Sequence, residues 1–151
     1  MTTTPVKGLR LQAKDEEDFR VIAACLQDSV LRLGEMQYLR SDRRFVVVLD
    51  RFIWERSTKI NKNSSMLFQV QSGLCFDGIA SVQVQGIDQE CKEVILELLT
   101  IVFELNTVTL VFSGSGVIRL EGEDIVCFLE DVGDPRPCDF SPRHPVRPVQ
   151  G

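Results

Sequence analysis

In Leu67-Phe68-Gln69-Val70-Gln71-Ser72-Gly73-Leu74-Cys75-Phe76-Asp77-Gly78-Ile79-Ala80-Ser81-Val82-Gln83-Val84-Gln85-Gly86-Ile87, two apolar runs meet at an Asp-Gly pair. Asp-Gly between alternating hydrophobics is a strong hairpin signal, because glycine accepts the positive φ of a tight reversal. The stretch therefore predicts two antiparallel strands, 67–76 and 79–87. In the first, Leu74 and Phe76 alternate with Cys75. In the second, Val82 and Val84 alternate with Ser81, Gln83 and Gln85, which gives it one wet face.

Upstream, Asp15 can cap a helix whose first turn holds Glu16, Glu17 and Asp18, where negative charge meets the positive end of the dipole. Phe19, Ile22, Ala23, Leu26, Val30 and Leu33 form one apolar stripe at helical spacing, and Gly34 offers a stop. Strands follow at 36–39 and at 45–49, the latter continuing through Phe52, Ile53 and Trp54, with a turn at 40–43. Residues 56–65 read as a polar loop. Downstream, 94–103 fits either a helical stripe or a buried strand, and its β-branched content favours the strand. Strands at 108–112 and 117–120 follow, with turns at 105–106 and 113–116. After Gly122, the spacing of Ile125, Phe128, Leu129 and Val132 predicts a closing helix that ends at Gly133 and Pro135.

The order is one helix, about seven antiparallel strands and a terminal helix. It predicts an α+β domain over 1–133: an antiparallel sheet or partly open barrel, pleckstrin-homology-like, with an N-terminal and a C-terminal helix. Residues 134–151 hold five of the six prolines and read as a flexible tail.

Composition narrows the chemistry. The formal charge of −5 argues against general attraction to nucleic acid. No run reaches the roughly 18 apolar residues of a membrane helix. The N-terminus lacks the apolar core of a secretory signal, so a cytoplasmic protein without membrane insertion is expected. Five cysteines, an odd number with no Cys-x-x-Cys pair, read as free thiols rather than a metal or disulfide framework. The single histidine, His144, lies in the Pro-rich tail with Cys138, away from any rigid scaffold. Neither a catalytic constellation nor a cofactor is therefore expected. The Ser113-Gly114-Ser115-Gly116 run lacks the Lys and helix of a phosphate loop and reads as a turn. Glu90, Glu93, Glu97 and Glu104 read as a solvated acidic edge.

Charge is polarised along the chain. Residues 1–76 hold twelve basic and nine acidic groups, net +3, whereas 77–134 hold two and twelve, net −10. Arg40, Arg43, Arg44 and Arg51 make a candidate phosphoryl- or anion-binding group, because the planar guanidinium donates two bonds at once. Phe52 and Trp54, two apart on one strand face, make a candidate partner-binding patch, since aromatics are enriched at interface centres. The reading that results is a non-enzymatic cytoplasmic domain that binds a protein partner or a second copy of itself. Anion binding is the first alternative and a small His-independent enzyme the second.

Several stretches are distinctive: Leu9-Arg10-Leu11, Leu26-Gln27-Asp28-Ser29-Val30, Tyr38-Leu39, Arg44-Phe45, Asp50-Arg51-Phe52 and Trp54-Glu55. The series continues in Phe76, Gln85-Gly86-Ile87, Phe103-Glu104, Thr107-Val108-Thr109-Leu110-Val111-Phe112-Ser113-Gly114 and Ile118-Arg119-Leu120. Together they resemble the alphaproteobacterial proteins of domain of unknown function 2948 over roughly residues 8–133. The resemblance implies a one-domain bacterial cytoplasmic protein, and it carries no activity, substrate or catalytic residue.

Overall fold

The structure, a computed structural model, describes residues 8–54, 58–61 and 64–140. It is mostly β, with strands β1 (Arg10–Ala13), β2 (Val30–Arg32), β3 (Met36–Leu39), β4 (Arg44–Phe52), β5 (Thr58–Asn61), β6 (Ser64–Gln85), β7 (Ile95–Glu104), β8 (Thr107–Phe112), β9 (Val117–Asp131) and β10 (Arg136–Phe140). Among the described residues one α-helix, α1 (Glu16–Cys25), interrupts them. Strands β9, β8, β7, β2, β4 and β6 pair in that order, and β6 pairs back onto β9, closing a six-stranded barrel. Strand β1 extends β9, β3 lies on β4, and β5 and β10 both lie on β6.

The expected hairpin at 77–78 is instead a bend within one 22-residue strand, β6. A two-residue reversal of the Asp-Gly kind needs positive φ at both central positions. Here Gly78 has φ +89, while Asp77 is not among the positive-φ residues. The chain therefore bulges and continues. The Arg43 carbonyl accepts both the Gly78 and the Ile79 N–H, at 3.0 and 2.9 Å. Register shifts fall on both sides of Ile79, so inward positions run Val70, Ser72, Leu74, Phe76 and then Ile79. That change of parity is what made one strand look like two.

The closing helix expected after Gly122 is the second half of β9. Ile125, Cys127 and Leu129 are buried and Phe128 between them is half-exposed, a period of two. Apolar spacings of 0, 3, 4 and 7 over so short a run are also met by a strand, and the pairing of 126–131 with β6 selects the strand. With strand β9 in place of the expected closing helix, no C-terminal helix among the described residues and a closed six-stranded barrel, the pleckstrin-homology-like α+β expectation is overturned.

The N-terminal helix is shorter than its stripe. Asp15 caps it as expected, accepting the Asp18 N–H at 2.8 Å, and Phe19, Ile22 and Leu26 are buried. It ends at Cys25. Asp28 then takes φ +66 and donates its N–H to Leu98 O at 2.8 Å, and Ser29 O accepts the Leu98 N–H. Asp28 and Ser29 are poor helix-interior residues, and Val30 and Leu31 gain a ladder with Glu97 and Leu96 instead. The helix packs on β7 and β1, with the Phe19 and Phe103 rings stacked 4.2 Å apart.

The 56–65 segment, read as a loop, contains β5 and the start of β6. Beyond the expected end of the domain, Arg136–Phe140 pairs with Ser65–Gln69 of β6. Strand 36–39, the turn at 40–43 and a strand over 95–104 stand as expected. The core fills the barrel in layers set by the register: Phe45, Phe76 and Cys127, then Val47, Leu74 and Leu129, then Leu49, Ser72 and Asp131. Among the described residues no helix is long and apolar enough to cross a membrane.

Candidate protein-binding face

Along β4, odd-numbered positions are buried and even-numbered ones reach the surface. The outer face of β3, β4, β6, β9 and β1 is therefore read directly from the register. One row is Val46, Cys75, Phe128 and Gln12, and the next is Val48, Gly73, Glu130 and Arg10. Val48 and Phe128 are 36% and 37% exposed, values that leave large apolar side chains partly in water. A Cβ built at Gly73 would meet nothing within 4 Å, so the centre of this face is a shallow dent. Among the described residues, ion pairs Arg44–Asp77, Arg10–Glu130 and Arg136–Asp50 rim it, with closest distances of 2.6, 3.5 and 3.2 Å.

A cleft of about 290 Å³ opens at one edge, lined by Val30, Arg32, Glu35, Val48, Asp50, Gln71 and Ile95 among others. It exists because β2 pairs with β4 only at Val30 and Asp50, while β3 pairs only with 44–47; a single 3-10 turn, Leu33–Glu35, spans the gap. Past the cleft, the Phe52 and Trp54 rings lie 5.3 Å apart. Trp54 Nε1 donates to Gln27 O at 3.3 Å, and the ring remains 37% exposed. The two aromatics singled out from sequence are thus brought together at the end of this face.

The four arginines of the anion-binding alternative do not converge. Arg40 sits over the Tyr38 ring, 5.8 Å from its centroid, and Arg43 is exposed with φ +53 at the β3–β4 turn. Arg44 is held by both oxygens of Asp77, which raises its pKa, first through those hydrogen bonds. Arg51 lies seven residues along β4 on the opposite face, about 23 Å away. Only 1% of its side chain is exposed. The tail from Ser141, with His144, lies outside the described residues.

Arg51 belongs to a network that sequence reasoning missed. Its Nε and NH2 groups donate to the two Asp131 oxygens, each at 2.9 Å. Ser72 Oγ donates to Asp131 Oδ1 at 2.7 Å and the Leu9 N–H to Oδ2 at 3.0 Å. Burial pushes the Asp131 carboxyl up, but Arg51, the Leu9 N–H and Ser72 outweigh it and hold the pKa below the usual carboxylate value. The one signal in the sequence was Arg51 in phase with Phe45, Val47 and Leu49. Nothing local marked Asp131 as its partner.

Two thiols near this face and its underside are poor nucleophiles. Burial, then the Asp77 charge, pushes Cys75 up to about 11, and burial pushes Cys127 higher still. Glu97 and Glu104 lie toward opposite ends of β7, and Glu90 lies in the β6–β7 connection, where its N–H bonds the Asp88 carboxylate. Among the described residues no three His, Cys, Asp or Glu side chains are grouped to hold a metal ion.

No curated protein and no solved structure matches this chain. A family model described as "Protein of unknown function (DUF2948)" matches residues 9–144, from the first strand past the last, and the chain belongs to that family.

Proposed function

We propose that this protein is a non-enzymatic binding domain that contacts another protein, or a second copy of itself, through the outer face of β3, β4, β6, β9 and β1. The observation that carries the reading is the apolar centre formed by Val46, Val48, Cys75 and Phe128 on a sheet face that α1, packed on β1 and β7, leaves open. An apolar centre inside a polar rim is the usual anatomy of a protein interface. Phe52 and Trp54 extend the patch with rigid aromatic surface. A cytoplasmic setting is part of the proposal, and five free thiols suit a reducing compartment.

The test is affinity capture of the full chain from its native cell extract, run beside a Val48→Glu, Phe128→Glu variant. A stoichiometric partner, or untagged copies of the chain, should be retained by the parent and lost by the variant. Identical capture by both proteins, with the variant folded by circular dichroism, sinks the reading.

A further inference from the structure

We propose that the cleft between β2 and β4 binds a free aliphatic α-amino acid as its zwitterion, at a site that does not depend on the protein-binding reading above. The backbone is the first argument. In an antiparallel ladder the N–H and C=O of one residue point to the same neighbouring strand, and the side alternates along the chain. Leu33 N–H donates to Val94 O and Leu98 N–H to Ser29 O, so Ser29, Leu31 and Leu33 turn to β7 and Arg32 turns to β4. On β4, Ile53 N–H donates to Phe68 O in register with Arg51 and Val70, so odd-numbered residues turn to β6 and Val48 turns to β2. The β2–β4 ladder nevertheless stops at Val30 and Asp50, one hydrogen-bonded pair short of Arg32 and Val48. The N–H and C=O groups of those two residues border the cleft with no ladder partner among the described residues. A ligand with both a carboxylate and an ammonium answers donors and acceptors alike.

Charge is the second argument. Arg32, Glu35 and Asp50 line the same cleft. Arg32 and Glu35 are exposed, and neither is ion-paired to a described residue, while Asp50 gives one oxygen to Arg136 at 3.2 Å. A plain acid would meet the two carboxylates, and a plain amine would leave the guanidinium unused. A zwitterion uses both, with its carboxylate on Arg32 and its ammonium on Glu35 and Asp50. Val48 and Ile95, 36% and 63% exposed, offer an aliphatic side chain apolar surface to cover.

Size is the third. The volume of about 290 Å³ suits a small ligand. The slot is closed at one end by the Val30–Asp50 pair and at the other by Met36–Val47. From Val47 to Asp50 it runs about 10 Å, which admits one amino acid and stops a peptide strand from passing through.

Titration of the full chain with L-leucine, L-isoleucine and L-valine, followed by amide NMR and calorimetry, tests the proposal. At least one should bind saturably, with a dissociation constant of about 0.1–1 mM and shifts centred on Arg32, Glu35 and Val48. Isocaproate, isoamylamine and L-leucylglycine should each bind about tenfold more weakly or worse. Arg32→Gln and Glu35→Gln, both on exposed side chains, should weaken the amino acid about tenfold, and Arg119→Gln on β9 should leave it unchanged. No saturable shift with any of the three up to about 20 mM overturns the site. Shifts centred elsewhere, or binding indifferent to Arg32→Gln and Glu35→Gln, overturn its placement in the cleft. Isocaproate or isoamylamine binding as tightly overturns the zwitterion, and L-leucylglycine binding as tightly makes the ligand a peptide end rather than a free amino acid.

Discussion

Arg51 and Asp131 meet inside the barrel end as a two-pronged ion pair, 1% and 6% exposed, joining β4 to β9. Ser72 of β6 and the Leu9 N–H just before β1 complete the carboxylate's bonds. Removing one partner of such a pair strands a buried charge, whereas replacing both with apolar groups removes the desolvation cost as well. Asp131→Asn should lower unfolding stability by about 3–5 kcal/mol in urea titration, and Arg51→Met with Asp131→Leu should recover most of the loss. A single variant as stable as the parent would show that water, not Asp131, satisfies Arg51.

The same pair sets an acid limit. The folded-state pKa of Asp131 lies below its unfolded value, so its contribution is fully present above the unfolded value of about 4. It drains away as pH falls through the lower folded value. Thermal unfolding followed from pH 7 to pH 2 should show a drop below about pH 4. That drop should be smaller in the Arg51→Met, Asp131→Leu protein.

Two glycines predict opposite outcomes. A Cβ on Gly122 would collide with the Gly78 carbonyl oxygen across the β6–β9 ladder. Gly122→Ala must push the bulge apart and should cost about 2–4 kcal/mol, the range of strained or overpacked sites. Gly73→Ala meets open space and should change stability by less than about 1 kcal/mol, with the sign favouring alanine in a strand. Equal losses at both positions would contradict the close approach at the bulge.

Ser29 is fully buried, and its hydroxyl lacks a hydrogen-bond partner among the described residues. An unmade buried hydrogen bond costs about 1–3 kcal/mol. Ser29→Ala should therefore be neutral or stabilising by about 1 kcal/mol. A marked loss in thermal midpoint would reveal a partner for Oγ.

Thiol chemistry should rank by accessibility and ionisation. Cys91 is exposed, Cys75 is half-buried with a pKa near 11, and Cys127 is buried with a still higher pKa. Iodoacetamide labelling at pH 8, read by peptide mass spectrometry, should reach Cys91 first and Cys127 only on unfolding. Raising the pH toward 11 should accelerate Cys75, because its thiolate then becomes populated. Rapid labelling of Cys75 at pH 7 would refute its burial.

Local chemistry was legible wherever a residue's neighbours in sequence are also its neighbours in space. Asp15 and the acidic first turn of α1, the 36–39 strand with its turn, and the pairing of Phe52 with Trp54 all fall in that class. The sequence also disclosed the charge split, net +3 over residues 1–76 and net −10 over 77–134, and that its single histidine is His144. What it could not determine was direction. Whether Asp77–Gly78 reverses the chain or bends it depends on the Arg43 carbonyl and on Gly122 some 40 residues away. Whether Ile125–Leu129 coils or extends depends on an open β6 edge waiting beside it. Tertiary pairing alone decided these, and it likewise turned Arg51 from a surface cation into a buried partner of Asp131. A strand's backbone bonds lie on other strands, so its identity is settled only when the barrel closes.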